Sequence, residues 1–335
     1  MKKLKILVVF SLCSFATLAH SQDRQKLAQT GMKFLSVPTD ARMSALGDAA
    51  TATEWNSSAM FFNTAGMARI ENFAHASVGR VQWIADINYL YGSVALNPAD
   101  GRYGVFGISI LSVDYGDIQG TIRADNNDGY IDTNLFSPSA YAIGLGYAKA
   151  LSDKFSVGGN VKYVKQELGT GILDISSTGD FVTQGFSENV LAFDFGILYR
   201  TGFRSLNFGM TVKNFSQEVT FVDERFQLPL TFKIGIAMDM VDLTSWNRDV
   251  HSLKLAVDAS HPRDFPEQLS VGSEYIFMES FALRAGYSFP NDEHGFSAGA
   301  GFQQKLSNLD FGIDYAYTPF GVFDAVHRFT FQFSF

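Results

Sequence analysis

Cysteine is all but missing from this chain: its one copy, Cys13, lies in the N-terminal apolar stretch. Without that stretch there is no disulfide, no thiol nucleophile and no Cys-ligated metal. Long apolar runs are missing too. No run of ~18 apolar residues follows the N-terminus, so no transmembrane helix is expected. Basic residues are outnumbered, 26 Lys and Arg against 34 Asp and Glu, and they form no cluster. That excludes a nucleic-acid partner. No repeat of fixed period occurs, which speaks against a propeller or solenoid. His75, His251, His261, His294 and His327 are scattered without metal-ligand spacing, so neither zinc nor another cofactor is expected.

The N-terminus itself reads as a secretory leader, residues 1–21. Lys2, Lys3 and Lys5 precede an apolar stretch from Ile6 to Leu18, and Ala19-His20-Ser21 is a small-x-small cleavage site. The stretch is shorter than the roughly 20 residues a bilayer-spanning helix needs. Leu12 before Cys13 argues against a lipoprotein. Losing the three leader lysines takes the formal charge from −8 to −11.

Phe and Gly are abundant, 32 and 30 copies, in a chain that is 46% hydrophobic. Both occur in alternating stretches. We expect about fourteen strands, near 74–83, 86–97, 102–122, 139–150, 155–167, 189–201, 205–215, 230–241, 250–261, 268–278, 281–289, 295–304, 309–318 and 326–335. Tyr141, Ile143, Leu145 and Tyr147 share one face, and Ala142, Gly144, Gly146 and Ala148 the other. Phe311, Ile313, Tyr315 and Tyr317 likewise oppose Asp310, Gly312, Asp314 and Ala316. Period two fixes these faces. The small and charged face is the narrower, so it lines a lumen and the apolar face meets lipid. The fold class expected is all-β, a transmembrane antiparallel barrel over residues 73–335. The last strand ends in alternating Phe329, Phe331, Phe333 and Phe335. Connections near 97–102, 150–154, 201–205, 278–281 and 304–309 are short. Those near 123–138, 167–189, 215–230 and 318–326 are long, which is the pattern of periplasmic turns and external loops. The first hairpin and the connection holding Trp246 break it.

Three features bear on chemistry. Gly295-Phe296-Ser297-Ala298-Gly299 matches G-x-S-x-G, but no helix follows, so a nucleophile elbow and an enzyme are not expected. Asp125, Asp128 and Asp132 resemble a calcium loop. Aligned on Gly129, Ala124 and Leu135 fall at ligand positions, which favours a solvated acidic turn. Inward charges at Lys162, Asp194, Lys233, Asp239, Lys254, Asp258, Arg284, Asp310, Asp314 and Arg328 form the main polar constellation. Either they pair among themselves, or they dock a plug or line a solute path.

Residues 40–70 differ from everything after them. They are rich in Ala, Ser, Thr and Asn, too irregular for a long helix and too small for a core strand. They suit a plug inside the barrel or a small cap on a soluble sheet. Within them stand Ala41-Arg42, Ala45-Leu46-Gly47, Ala49, Trp55-Asn56 and Asn63-Thr64-Ala65-Gly66-Met67. This block resembles the N-terminal signature of FadL-like outer-membrane proteins, specifically their PorV/PorQ branch, with Thr64 where that family usually has Pro. The resemblance implies an N-terminal plug over residues 22–72, with Arg42, Gly47, Asn63, Ala65 and Gly66 as its motif. It implies the outer membrane of a Gram-negative, Bacteroidetes-like bacterium, with membrane lipid around the wall. It further implies a part in type IX secretion, binding the C-terminal signal domains of secreted cargo or joining the attachment complex. A PorU-like sortase and translocon components would be partners. Phe181, Phe186, Phe221, Phe226, Phe320 and Phe323 are the expected cargo contacts in external loops. The wider FadL-like resemblance implies the alternative, a passive channel for hydrophobic small molecules.

Overall fold

A computed structural model describes residues 30–175, 181–222, 224–291, 295–306 and 309–335. The expected leader, with Cys13, and His294 lie outside these residues. The strands are β1 Ala74–Gln82, β2 Asn88–Leu96, β3 Val105–Asp114, β4 Ile118–Arg123, β5 Tyr130–Phe136, β6 Ser139–Ala150, β7 Phe155–Ile175, β8 Phe181–Arg200 and β9 Asn207–Ser216. They continue with β10 Val219–Phe221, β11 Glu224–Phe226, β12 Thr231–Asp239, β13 His251–Pro262, β14 Gln268–Phe277, β15 Phe281–Phe289, β16 Phe296–Leu306, β17 Leu309–Phe320 and β18 Phe323–Ser334. One short helix, α1, spans Ala41–Ala45.

Fourteen strands close an antiparallel barrel, all except β4–β5 and β10–β11. Closure is made by β18 on β1, from His75↔Ser334 to Gln82↔His327. Just below this ladder Ala74 and Phe335 exchange backbone hydrogen bonds of 2.9 and 3.0 Å. Burial alternates as period two requires. In β3, Phe106, Ile108 and Ile110 are 49–57% exposed while Val105, Leu111 and Val113 are buried. A whole wall of exposed Phe, Leu and Ile meets hydrocarbon, because a monomer in water rarely shows a contiguous apolar patch of more than a few hundred Å². The barrel therefore spans a membrane.

The lower end, where β18 terminates, carries the turns β2–β3, β6–β7, β8–β9, β14–β15 and β16–β17. The β12–β13 connection with Trp246 lies there too, wound into a 3-10 turn over Met240–Leu243. The upper end carries the long hairpins and is the external one.

Two expected boundaries move. The third strand stops at Asp114 instead of running to 122. Asp114 Oδ1 accepts the Gly116 N–H at 2.9 Å, and Gly116 turns to φ 76°, which breaks the ladder. The 318–326 segment is no long loop, because β17 and β18 stay paired up to Phe320↔Phe323. Strands also run into the other long connections. β7 and β8 run for 21 and 20 residues where β6 has 12.

The lumen is filled. Residues from Met32 to Ala68 lie inside it. The upper half is apolar, with Met32, Phe34 and Leu35 packed against Tyr89, Leu111, Val113, Val164, Val190, Leu228 and Phe320. The lower half is small and polar, and there the chain's Gly content is spent.

Candidate functional site

The lower lumen is a seat for residues 40–70. Asp40 caps α1 by accepting the Met43 N–H at 3.2 Å. Burial pushes this carboxyl above the usual range, and the nearby Asp314 carboxylate adds to the shift. The Ala41 N–H donates to Thr330 Oγ1 of the wall at 2.8 Å. Arg42, one residue on, makes the principal contact. Its Nε and Nη2 donate to the two Glu274 oxygens at 2.6 and 2.7 Å. Its guanidinium also lies 4.1 Å from the Trp55 ring centroid, so stacking and a bidentate pair fix it together.

From Glu274 the contacts run around the wall. Glu274 accepts from Arg284 Nε at 2.7 Å, and Arg284 Nη1 donates to Asp314 Oδ1 at 2.6 Å. Gln332 Nε2 donates to Asp314 Oδ2 at 3.0 Å. Gln332 Oε1 then accepts from Asn56 Nδ2 at 2.6 Å, back on the luminal segment. The circuit leaves the segment at Arg42, crosses β14, β15, β17 and β18, and returns at Asn56. Two cations and two carboxylates balance, which is the condition for tolerating charge in a closed lumen.

The far side of the seat is held by backbone. Asp258 Oδ2 accepts Ala50 N and Thr51 N at 2.9 Å and Thr51 Oγ1 at 2.6 Å. Lys233 pairs with Asp48. Ser297 Oγ accepts the Gly47 N–H at 3.1 Å, so the serine of the G-x-S-x-G string holds the luminal segment. Asn63 Nδ2 donates to the carbonyls of Thr51 at 2.7 Å and Ile197 at 3.0 Å. Its Oδ1 accepts the Ala65 N–H at 3.2 Å, and its own carbonyl accepts the Gly66 N–H at 2.8 Å. Gly47, Asn63, Ala65 and Gly66 thus form the turns that meet the wall.

The wall is glycine where this backbone touches it. A Cβ on Gly286 would stand 2.1 Å from Gly47 N, and one on Gly196 would stand 1.9 Å from Asn63 Oδ1. Gly196→Ala is therefore expected to push Asn63 out of its bonds, each worth about 1 kcal/mol. Limited proteolysis in micelles would register the loosening as cleavage within 40–70. Wild-type resistance in that variant would contradict a tight seat.

The other inward charges divide. Lys162 pairs with Asp194 at 2.8 Å and donates to Asn214 Oδ1 at 2.6 Å. Arg328 Nε donates to the Pro38 carbonyl at 3.0 Å. Lys254 sits across the ladder from Glu274. Two of the group work at the lower rim instead of in the lumen. Asp239 caps the 3-10 turn through Val241 N at 3.0 Å, and Asp310 accepts from Asn72 Nδ2 at 3.1 Å.

The upper mouth is clipped shut, which the sequence pattern did not reveal. Thr30 Oγ1 donates to Asp264 Oδ2 at 2.5 Å, Lys33 pairs with Asp264, and the Gly31 N–H donates to the Gln227 carbonyl at 3.1 Å. Between this strap and the wall a cavity of about 40 Å³ remains, lined by Leu35, Phe62, Lys162 and Lys213 among others. At the lower mouth a cleft of about 390 Å³ reaches Arg42 and Trp55.

Outside, three hairpins rise on one side only. β4–β5 continues the β3–β6 pair, β7–β8 extends beyond its neighbours, and β10–β11 joins β9 to β12. From Glu167, where the β6 pairing ends, to Ile175 the β7 ladder rises roughly 25 Å at ~3.3 Å per residue. The opposite rim is low, with the β1–β2 and β17–β18 turns close to the wall. Among the six expected contact residues, Phe181 is 51% and Phe323 47% exposed. Phe186 and Phe221 pair with ring centroids 5.8 Å apart, bracing β8 against β10. Phe226 leans on Gly31. Phe320 is 3% exposed, not on the rim, because its ring packs 5.0 Å from that of Trp83.

Asp132 lies on β5 opposite Thr121, and Asp125 and Asp128 stand at the β4–β5 tip. There Asn126 makes the turn, its Oδ1 accepting the Gly129 N–H at 2.7 Å. No group of three metal-binding side chains occurs among the described residues.

Comparison with known proteins bears on the architecture first. The toluene transporter TbuX of Ralstonia pickettii superposes with a TM-score of 0.58 at 12% identity, over 88% of this chain and 98% of that one. The Pseudomonas putida toluene transporter TodX gives 0.58 at 12%, over 88% and 96%. A FadL homologue from Pseudomonas aeruginosa gives 0.54 at 14%, over 89% and 98%. At such identities the likeness is one of fold. No curated protein matches by sequence. The family model of the type IX secretion system protein PorV, however, matches residues 20–259. With the barrel, its filled lumen and the Arg42-to-Gly66 block in view, this chain is an outer-membrane β-barrel of a Gram-negative bacterium and belongs to the PorV family of type IX secretion.

Proposed function

We propose that this barrel acts in type IX secretion as a docking protein. It binds the C-terminal signal domain of secreted cargo at its external crown and presents it to the attachment complex, where a PorU-like sortase is a partner. The supporting observation is a contrast between the two ends of the molecule. The lumen is occupied and tied to the wall by the Arg42–Glu274 pair, whereas the crown stands free and carries exposed apolar side chains such as Phe181 and Leu135. Protein docking uses such a surface, and a solute path needs the lumen.

One observation favours the second reading, a channel for hydrophobic small molecules. The upper lumen is apolar, and displacement of Met32, Phe34 and Leu35 would open it. Against this, the chain's own side chains already fill that space.

Shortening the β7–β8 hairpin by residues 169–186 should abolish cargo display at the cell surface. Heat-modifiable migration on gels should persist, because the barrel ladder lies below the cut. Normal display after this cut and removal of 217–228 would overturn the docking reading. Fatty acid recovered with the purified barrel would then favour the channel.

A further inference from the structure

We propose that the partner adds a β-strand to the free edge of β4, and that this partner strand is basic. The inference rests on the cargo reading and names the part of the crown that the cargo domain uses. Sheet order supplies the first step. β4 and β5 pair only with each other among the described residues. β5 leads into β6 and leans toward β7, where Phe136 lies over Gly169. β4 follows β3, whose other neighbour is β2. The open edge of β4 therefore ends the crown and overlooks the low rim above β1 and β2.

That edge is regular. Where the pairing slips, between Gln119↔Leu135 and Thr121↔Asp132, the extra residue is on β5, which leaves β4 extended for strand addition. The hairpin is also apolar beyond need, with Ile118, Tyr130, Ile131 and Leu135 between 43% and 63% exposed. An isolated two-stranded hairpin is marginal in water, and a third strand is the usual remedy. Main-chain hydrogen bonds then give affinity, and alternate side chains give selectivity.

Charge decides which strand fits. From Asp114 to Phe136 the hairpin carries Asp114, Asp117, Asp125, Asp128 and Asp132 against Arg123 alone. All five carboxylates are exposed, and none is in an ion pair with a described residue. An acidic strand would meet like-charge repulsion and a neutral one would leave the carboxylates without counter-charge, whereas Lys and Arg on the added strand find partners.

The test uses the full-length barrel in nonionic micelles and a recombinant C-terminal domain of a secreted cargo as the probe. Raising salt from about 50 to about 300 mM should weaken binding about tenfold, through screening of exposed charges. The variant Asp125→Lys/Asp128→Lys/Asp132→Lys should be weakened about as much and lose its salt response. Gln119→Cys, in a mature chain without cysteine, should cross-link to single cysteines on one edge strand of the probe. Gln303→Cys at the lower mouth should not. Heat-modifiable migration confirms that each variant is assembled. Undiminished binding by the triple variant, with no cross-link at Gln119, would overturn the β4 assignment and leave cargo docking intact. No binding by the wild-type barrel at any salt would remove the cargo reading and this inference with it.

Discussion

Removing Phe333–Phe335 is expected to leave the protein unassembled in the periplasm, where it is degraded. β18 is paired on both sides, with β17 from Asp310↔Ser334 upward and with β1 from His75↔Ser334. The truncation strips the lower rungs of both ladders and the backbone exchange between Ala74 and Phe335. An open edge facing hydrocarbon costs several kcal/mol for each unsatisfied backbone group. Phe333 and Phe335 also face lipid, and burying one such ring contributes roughly 1.5–3 kcal/mol. Phe335→Asp should fail in the same direction, since it sets a charge on the lipid-facing row. Thr330→Ser should be silent. Its hydroxyl would still accept the Ala41 N–H and meet the Tyr91 hydroxyl, which lie 2.8 and 2.5 Å from Thr330 Oγ1. Outer-membrane fractionation and heat-modifiable migration read all three variants. Normal insertion of the truncated chain would sink the closure argument.

The barrel was legible because period two is a local property. Each strand announces its own faces, so fourteen alternating stretches can be read without knowing their neighbours. Strand ends are less local. β3 stops where Asp114 bonds to Gly116, and such a turn looks in sequence like two more strand residues. β4 was merged into the third strand, and β5 and β10–β11 were hidden because the segments holding them read as loop, although their backbones pair.

The seat was half legible. The small residues of 40–70 signal close packing, and Gly on the inner faces signals something pressed against it. The pairings themselves stand far apart in sequence. Arg42 and Glu274 are separated by 232 positions, and nothing local to either names the other. Asp264, which clips the strap, sits in a turn after β13 with no pattern around it. Phe320 misled for the opposite reason. Aromatics in an apparent loop suggest exposure, but the loop is a tight hairpin folded onto Trp83.

Deleting Gln22–Met67 is expected to give an assembled barrel that conducts ions. Among the described residues the deleted part contributes nothing to the barrel ladder, which begins at Ala74, and one β-bridge there joins Thr30 to the external residue Gln227. Without it water enters the lumen and solvates Glu274, Arg284, Asp314, Lys233 and Asp258, so no charge is stranded. Planar-bilayer recordings should show steps of current that the intact chain lacks. The point variant Glu274→Ala tests the same seat from the other side. It keeps the segment in place and leaves Arg42 and Arg284 buried as like charges with Asp314 as the remaining counter-charge. Breaking a buried pair in this way costs about 3–5 kcal/mol. The α1 end should loosen while Asp258 and Asn63 still hold the far side. The expected result is protease sensitivity between Asp40 and Trp55, with less current than the deletion gives. Arg42→Gln/Glu274→Gln removes one charge of each sign and should recover part of the loss. A deletion chain that fails to insert would make residues 22–67 part of the wall's folding nucleus. One that inserts but stays electrically silent would move the seal to the external hairpins.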